Sequence, residues 1–269
     1  MYEDLLPHTL PTETERLDAM GRAHDPDAQA AIARLGLPPA PHCLDIGSGR
    51  GTMAIWLAET WPDGTVVAGD LDHNSFKPNQ CANLRLEVMD ANTADLGEGV
   101  YDLIHCRALL CFLPDKLAVL KRIARALKPR GALVVTEMDF GRIAAGPSRF
   151  WASFWTAYLE FADAQEWDFR FGARLPRLLA QAGFTAIDAR HIAPMLNLGP
   201  ETDQTAGAAE TRTWSLTLAT LAPRLLDGGF VPEPMLRDAL ALIRNQGAWT
   251  PGPGFMMATA RRPVGQDDG

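Results

Sequence analysis

Asp45, Asp70 and Asp90 each lie in, or directly end, a short apolar run, and Gly47, Gly49 and Gly51 follow the first of them. Carboxylates accept hydrogen bonds from hydroxyls, amines and cations, whereas a pyrophosphate repels them. Glycines at alternate positions let a backbone bend tightly or let a ligand come close. One such acid reads most simply as a turn or helix cap. Three of them around a glycine turn read instead as a site for a ligand with hydroxyls, amines and positive charge. The dinucleotide fingerprint would need glycine where Thr52 stands, so a nicotinamide-dependent oxidoreductase is disfavoured. Asp102 and Asp115 keep the simpler readings, surface acid and helix cap.

The elements that must position these residues alternate. Residues 26–36 read as a helix, Cys43 to Ile46 as a strand, and Thr52 to Trp61 as a helix that Pro62-Asp63-Gly64 breaks. Thr65 to Asp70 is a buried strand. In LRLEVMD, Leu84, Leu86 and Val88 point inward and Asp90 follows. Tyr101 to Arg107 is another strand, and Leu117, Leu120, Ile123 and Leu127 step at helical intervals. ALVVTEM is the fifth strand. A helix (Leu175 to Gln181), a strand (Phe184 to His191), two helices within about 197–250 and a last strand, FMMATA, complete the series. Such alternation implies an α/β, Rossmann-like three-layer sandwich with a mostly parallel seven-stranded sheet. The expected organisation is a single domain spanning 1–269. Its core covers about 30–141, 173–193 and 253–263, with an N-terminal lid at 1–29 and helical insertions at 142–172 and 197–250. In an open parallel sheet, ligands sit beyond the carboxyl ends of the strands. That edge is where Asp45 to Thr52, Asp70, Asp90 and Arg107 fall.

A net charge of −8 argues against a nucleic-acid partner, because phosphate neutralisation needs a basic face. The cluster Lys121 to Arg130 has helical spacing and reads as a solvated helix face. No apolar run approaches the roughly 20 residues that cross a bilayer, and the acidic opening MYEDLLPHTLPTETER is unlike a secretory signal. Cys43, Cys81, Cys106 and Cys111 form no Cys-x-x-Cys pair and read as reduced thiols, so a cytoplasmic protein without a metal is expected. A homodimer stays open.

The motifs CLDIGSGRGT, VVAGDLD, LEVMDA, YDLIHCRALLCFLPD and LKPRGALVVTE resemble the class I S-adenosylmethionine-dependent methyltransferases. The chain is particularly similar to the UbiE-like, methyltransferase-domain group of bacterial secondary metabolism. ETERLDAMGRAHDP and RFGARLPRLLAQAGF extend the resemblance over most of the chain. It implies S-adenosylmethionine over the turn of Gly47, Gly49 and Gly51. Asp45 would lie near the ammonium, Asp70 would take both ribose hydroxyls, and Asp90 with Ala91 or Asn92 would meet the adenine. Leu71 would pack on the adenine face, and the backbone at Cys106 and Arg107 would meet the methionine end.

Methyl transfer needs an aligned acceptor and a dry site rather than a reactive group built by the enzyme. A base helps when the acceptor is a hydroxyl. Glu137, closing the fifth strand, reads equally as that base and as an acid anchoring the cofactor or a loop. His8 becomes a candidate if the N-terminal segment, with Tyr2, closes as a lid. The resembled group often has His at the position of Phe112, and that base is missing. His105 reads as a satisfied core residue, His191 stays possible, and Arg212 and Trp214 read as packing of the late insertion. The turn and acid patterns of base-nitrogen and catechol-type methyltransferases are absent after the fourth strand. FWASFWTAYLEF sets Trp151, Trp155 and Tyr158 on one side of a helix, a stripe that is either core packing or the lining of an acceptor pocket. The expected partner is a hydrophobic or aromatic small-molecule acceptor, with O-methylation favoured. Two alternatives remain: an enzyme of this fold that binds S-adenosylmethionine without transferring its methyl, a cyclase or eliminase, and a non-catalytic partner subunit.

Overall fold

Unbroken apolar runs such as CLDI, VVAG and ALVV have no polar face to give to water, so they form strands only where both faces of a sheet are covered. The computed structural model describes residues 6, 10–77, 80–145, 148–197, 205–245 and 249–264. In it helix α1 (Pro11–Ala33) precedes β1 (His42–Ile46), α2 (Thr52–Thr60), β2 (Thr65–Asp70), β3 (Leu84–Val88), β4 (Tyr101–Arg107), α3 (Lys116–Ala126) and β5 (Leu127–Asp139). Then come α4 (Arg149–Ala164), α5 (Leu175–Gln181), β6 (Thr185–Ile192), β7 (Met195–Leu196), α6 (Ala206–Asp227), α7 (Glu233–Ile243), β8 (Thr250–Pro251) and β9 (Gly254–Arg261). Seven strands form one sheet in the order β3-β2-β1-β4-β5-β9-β6. The pairs β1–β2, β1–β4, β2–β3 and β4–β5 are parallel. This is the mostly parallel α/β sheet that the alternation predicts.

The chain divides into two compact units, one of residues 1–26, 138–170 and 191–255, the other of 27–137, 171–190 and 256–269. The second unit carries most of the sheet. One side of its β1, β2, β4 and β5 presents Cys43, Val66, Ala68, Leu103 and Val134 to Met53, Ala54, Leu57 and Ala58 of α2 and to Ala28 and Ile32 of α1. A buried side chain of this size contributes about 1.5–3 kcal/mol. Helix α3 buries Val119, Leu120, Ile123 and Ala126, and Asp115 caps it by accepting from the Ala118 N–H at 2.9 Å. Asp102 accepts from the His42 N–H and from Lys128 Nζ, a structural role.

The edge strand departs from expectation. Leu86 and Val88 are 43% and 77% exposed, not inward. No helix forms among the described residues of 71–83, which connect β2 to β3. Phe76, Cys81 and Leu84 join the packed layer, and among the described residues that layer does not reach Leu86 and Val88. The first helix also begins at Pro11 rather than near residue 26, and it carries Pro26 inside it.

In the first unit, Ser148 caps α4 by accepting from the Trp151 N–H, and Thr205 caps α6 through the Ala208 N–H. Helix α7 packs on α4 and α6, and β7 pairs antiparallel with β8.

Candidate active site

The second unit builds its site where β1 ends. Gly47, Gly49 and Gly51 all have positive φ, +70°, +49° and +74°. At Gly51 the requirement is double, because a Cβ there would meet the Phe76 ring at 2.2 Å. At Gly49 a Cβ would meet nothing within 4 Å, so the turn is bare on that side. The turn is tied to β2: the N–H groups of Gly47 and Ser48 donate to the Gly69 carbonyl at 2.8 and 3.2 Å. The Gly49 N–H donates to Asp70 Oδ2 at 2.7 Å, and the other oxygen accepts from the Leu71 N–H at 2.7 Å.

Asp90 ends the next strand in an exposed turn, accepting from the Asn92 N–H at 2.8 Å and from Thr93 Oγ1 at 3.3 Å. The carbonyls of Ala91 and Asn92 both accept from Arg122, at 2.6 Å. Whatever the Ala91–Asn92 backbone offers a ligand therefore comes from elsewhere than these carbonyls' bonds to Arg122. Around these acids lie large exposed apolar side chains: Leu71 is 62% exposed, and Val88, opposite Asp70 in register, is the 77% exposed residue of β3. Apolar surface beside carboxylates suits a flat base attached to a diol. Arg107 closes β4, half-buried and paired in register with Thr136.

Asp45 is buried, and its Oδ1 lies 2.7 Å from His105 Nδ1, directly across the β1–β4 pair. Residue-by-residue reading of the sequence overlooked this pair, whose only signal is the register of two distant strands. His105 is satisfied on one side alone, for its Nε2 is buried without a hydrogen-bond partner, as is Ser48 Oγ inside the glycine turn. Unpartnered buried polar atoms are rare and call for an explanation.

Glu137 takes the anchoring role of its two readings. It is fully buried and accepts from the N–H groups of Leu109 (3.1 Å), Leu110 (2.8 Å) and Cys111 (3.1 Å), holding the turn after β4. Burial pushes its carboxyl up to about 7, against the three backbone donors and the Cys111 thiol, which favour the charged form. Burial also raises the Cys43 thiol to about 12 and Cys106 well above the usual range, so neither is a nucleophile. His8 and Tyr2 lie outside the described residues.

In the first unit Trp151, Trp155 and Tyr158 are buried in an aromatic interior, not displayed along an open groove. Trp155 contacts Phe140, Tyr158 and Trp214 edge-on at centroid distances of 6.0, 5.4 and 4.9 Å. Trp151 Nε1 donates to the Pro251 carbonyl at 2.8 Å, whereas Trp155 Nε1 is buried without a partner. Burial raises the Tyr158 hydroxyl far above the usual phenol range, with Arg16 pulling weakly the other way. Trp214 Nε1 donates to Glu210 Oε1 at 2.7 Å, and Glu210 Oε2 lies 2.8 Å from His24 Nε2. This buried polar group escaped the sequence reading, because its members come from two separate segments. His191 lies 3.5 Å from Asp139, and Arg212 pairs with Glu15 at 2.5 Å in an exposed ion pair.

No group of three metal-ligating side chains occurs among the described residues, and none of their helices is long and apolar enough to cross a membrane. The donor set of the second unit is acceptor-rich and anionic, with a bare turn beside the unpartnered Ser48 Oγ and His105 Nε2. It fits a ligand carrying a diol, a base and a cationic arm.

A family model described as "Methyltransferase domain" matches residues 20–189, more than half of the chain. Methyltransferase str3 of Strobilurus tenacellus is 29% identical over 219 residues, which cover 79% of this chain and 78% of that protein. Phosphoethanolamine N-methyltransferase 2 of Haemonchus contortus, solved with S-adenosyl-L-methionine, superposes with a TM-score of 0.60 at 17% identity, covering 98% of this chain and 60% of that one. The cyclase SpnF superposes with a TM-score of 0.54 at 16% identity, over 90% of this chain and 82% of that one. These two likenesses are of fold. The family match, the sheet order and the glycine turn agree: the chain belongs to the methyltransferase-domain family and is an S-adenosylmethionine-dependent methyltransferase.

Proposed function

We propose that this enzyme methylates an oxygen of a hydrophobic or aromatic small molecule, a natural-product intermediate by class, and that the second unit holds the cofactor through the residues around its glycine turn. The observation that carries the cofactor assignment is the bare Gly49 edge beside Asp70. Asp70, its carboxylate held beside the turn by the Gly49 and Leu71 N–H groups, accepts from the ribose hydroxyls. Leu71 and Val88 offer exposed apolar surface to the adenine, and Asp90 an acceptor to its amino group. Asp45 supplies negative charge at the strand edge.

When bound, S-adenosylmethionine supplies a methyl carbon already activated by a sulfonium. The chain has then to orient the acceptor and exclude water. Glu137 is spent on three backbone N–H groups, so it is a positioning residue for the turn after β4 and not the base. Recognition of the acceptor is assigned to the first unit, supported by its dense aromatic interior and by the unpartnered N–H of Trp155.

The test is incubation with methyl-labelled S-adenosylmethionine and a panel of phenols, polyketide-like enols and aromatic amines. Label in a phenolic ether supports the proposal. Label confined to amines, or conversion of a panel member with the methyl retained on the cofactor, overturns the oxygen assignment. Asp70→Ala should weaken S-adenosylhomocysteine binding at least about tenfold, as loss of a charge-assisted contact requires. Unchanged affinity in a calorimetric titration would remove the ribose assignment.

A further inference from the structure

We propose that a groove in the second unit, at the opposite end of the sheet from the glycine turn, binds a small molecule that carries an oxyanion on an apolar body, with Arg130 as the anion-binding residue. The site stands apart from the cofactor and acceptor assignments and does not rest on them.

The groove has a volume of about 710 Å³, the size of a small-molecule pocket. Asp102 near the start of β4, Pro129 to Gly131 near the start of β5, and Thr185 at the start of β6 fix its place. Leu35, Leu37 and Pro263 give it apolar walls. Gly36, at φ +63° and with nothing within 4 Å of an added Cβ, leaves one wall bare. Its charge comes from Arg130, Arg261 and Arg262, in a chain whose net charge is −8. Three guanidiniums around one groove, against that excess of acid, create a local positive field suited to phosphate or carboxylate oxygens. Asp102 lines the groove too, but it lies 2.7 Å from Lys128 Nζ and accepts from the His42 N–H, so its charge is met within the chain.

The three arginines differ in what else they do. Arg261 donates to the carbonyls of Arg130 at 3.0 Å and Leu35 at 2.5 Å. Arg262 donates to those of Arg125 and Leu127, and its Nη2 lies 3.9 Å from the exposed Glu98. Tying the end of β9 to its surroundings accounts for both side chains. It does not account for Arg130, whose side chain is exposed and has no hydrogen-bond or ion-pair partner among the described residues. The backbone of Arg130 is also unusual. Tyr101 pairs with Leu127 and Leu103 with Ala132, so Asp102 alone faces residues 128–131, which form a bulge in β5. Within it Arg130 has φ +64°, a conformation that favours glycine. It is held there from two sides, its N–H donating to the Arg262 carbonyl at 3.1 Å and its own carbonyl accepting from Arg261. Strain that neighbouring bonds enforce collects at functional positions, and a bulge re-aims a side chain. Here both bring an unpartnered guanidinium to the wall of a groove. Glycine would fit this backbone better, and what arginine adds is a planar cation that grips an oxyanion.

The experiment is isothermal titration calorimetry at low salt, with S-adenosylhomocysteine in excess, using phenyl phosphate, benzoate, inorganic phosphate and phenol as probes. Phenyl phosphate or benzoate should bind more tightly than inorganic phosphate, and both more tightly than phenol. The stronger of the two names the oxyanion as phosphate or carboxylate. Arg130→Gly removes the cation and the strained side chain together. It should weaken binding of the better probe at least about fivefold, as loss of an exposed charged contact requires, while melting no lower than the wild type. Arg130→Lys keeps the charge without the planar fork and should fall between the two. Unchanged affinity in Arg130→Gly overturns the proposal, as does wild-type protein that binds phenol as well as the two aromatic anions. A lower melting temperature in Arg130→Gly overturns the strain on which the argument for Arg130 rests. Wild-type protein that binds a peptide of alternating Asp and Gly but neither aromatic anion overturns the small-molecule assignment in favour of a protein partner.

Discussion

Replacing Glu137 by Gln sets two physical effects against each other in one measurement. The wild-type carboxylate is buried and holds three backbone N–H groups, Oε1 taking two and Oε2 one. Burial raises its pKa from 4.5 to about 7, although the donors favour the charged form. An acid raised in the folded state adds stability that is complete below about pH 4.5 and is lost as the pH rises through about 7. In that window the folded chain keeps a proton that the unfolded chain has released. At about 1.4 kcal/mol per pH unit, the window is worth about 3 kcal/mol. Gln does not titrate. It keeps one acceptor oxygen but points an amide NH₂ at the Cys111 N–H, which costs about 1–3 kcal/mol at every pH. The substitution should therefore destabilise by about 1–3 kcal/mol near pH 8 and by about 3 kcal/mol more near pH 5. Urea unfolding of both proteins at several pH values reads the difference, and titrations elsewhere in the chain cancel in it. A difference that is constant, or that grows with pH, refutes the reasoning: the three donors would then set the charge of Glu137, and burial would not.

The glycine turn separates strain from ligand approach. Gly51→Ala, whose Cβ would come within 2.2 Å of the Phe76 ring at φ +74°, should lower stability by more than about 2 kcal/mol, measured by thermal melting. Gly49→Ala, at φ +49° with open space around it, should lower stability by only about 1–2 kcal/mol yet weaken cofactor binding in a titration. Equal effects on melting would remove the distinction between the two positions. In the first unit, Glu210→Ala leaves the Trp214 N–H without its buried acceptor and removes the carboxylate that lies 2.8 Å from His24 Nε2, and should cost about 1–3 kcal/mol. A loss under about 1 kcal/mol on urea unfolding would mean that water reaches the pair and takes over from Glu210.

Strands buried on both faces were easy to read, because β1, β2, β4 and β5 consist of apolar runs bounded by turn residues. The Asp115 cap was equally plain, since capping is a local matter of one side chain and an N–H three residues on. Leu86 and Val88 were misjudged for the opposite reason. Their period of two shows which residues share a face but not whether anything covers it, and on this edge strand no helix forms among the described residues of 71–83. The start of α1 was hidden because residues 11–26 are polar and carry Pro26, so tertiary placement outweighs propensity there. Pairings such as Asp45 with His105 or Glu210 with His24 join residues 60 and more positions apart, and no local pattern announces them.

The unequal legibility of the two halves of the reaction has a chemical cause. A ligand with a diol, a base and a charged arm makes fixed demands, and on the proposed placement the residues that meet them sit close together in the chain: Asp45 to Gly51, Asp70 and Leu71, then Asp90. An acceptor attacked by an already activated methyl makes no comparable demand for a nucleophile, a metal or a strong base. Glu137, the one buried carboxylate that the sequence set beside that chemistry, is consumed by the backbone it anchors. Acceptor choice is then left to shape and to a few polar atoms. On the proposed reading these are spread, in the first unit, over His24, Phe140, Trp155, Glu210, Trp214 and Phe255, which ring contacts, the Trp214–Glu210 hydrogen bond and the 2.8 Å approach of Glu210 to His24 connect. Such a set can change its preferred acceptor by repacking one ring, whereas the cofactor half cannot move one acid without losing a bond. Substitutions at Trp155 or Phe140 should accordingly redistribute activity among phenolic acceptors in a product-ratio assay while S-adenosylhomocysteine affinity holds. A parallel fall in both would place these rings in the general stability of the fold and outside acceptor choice.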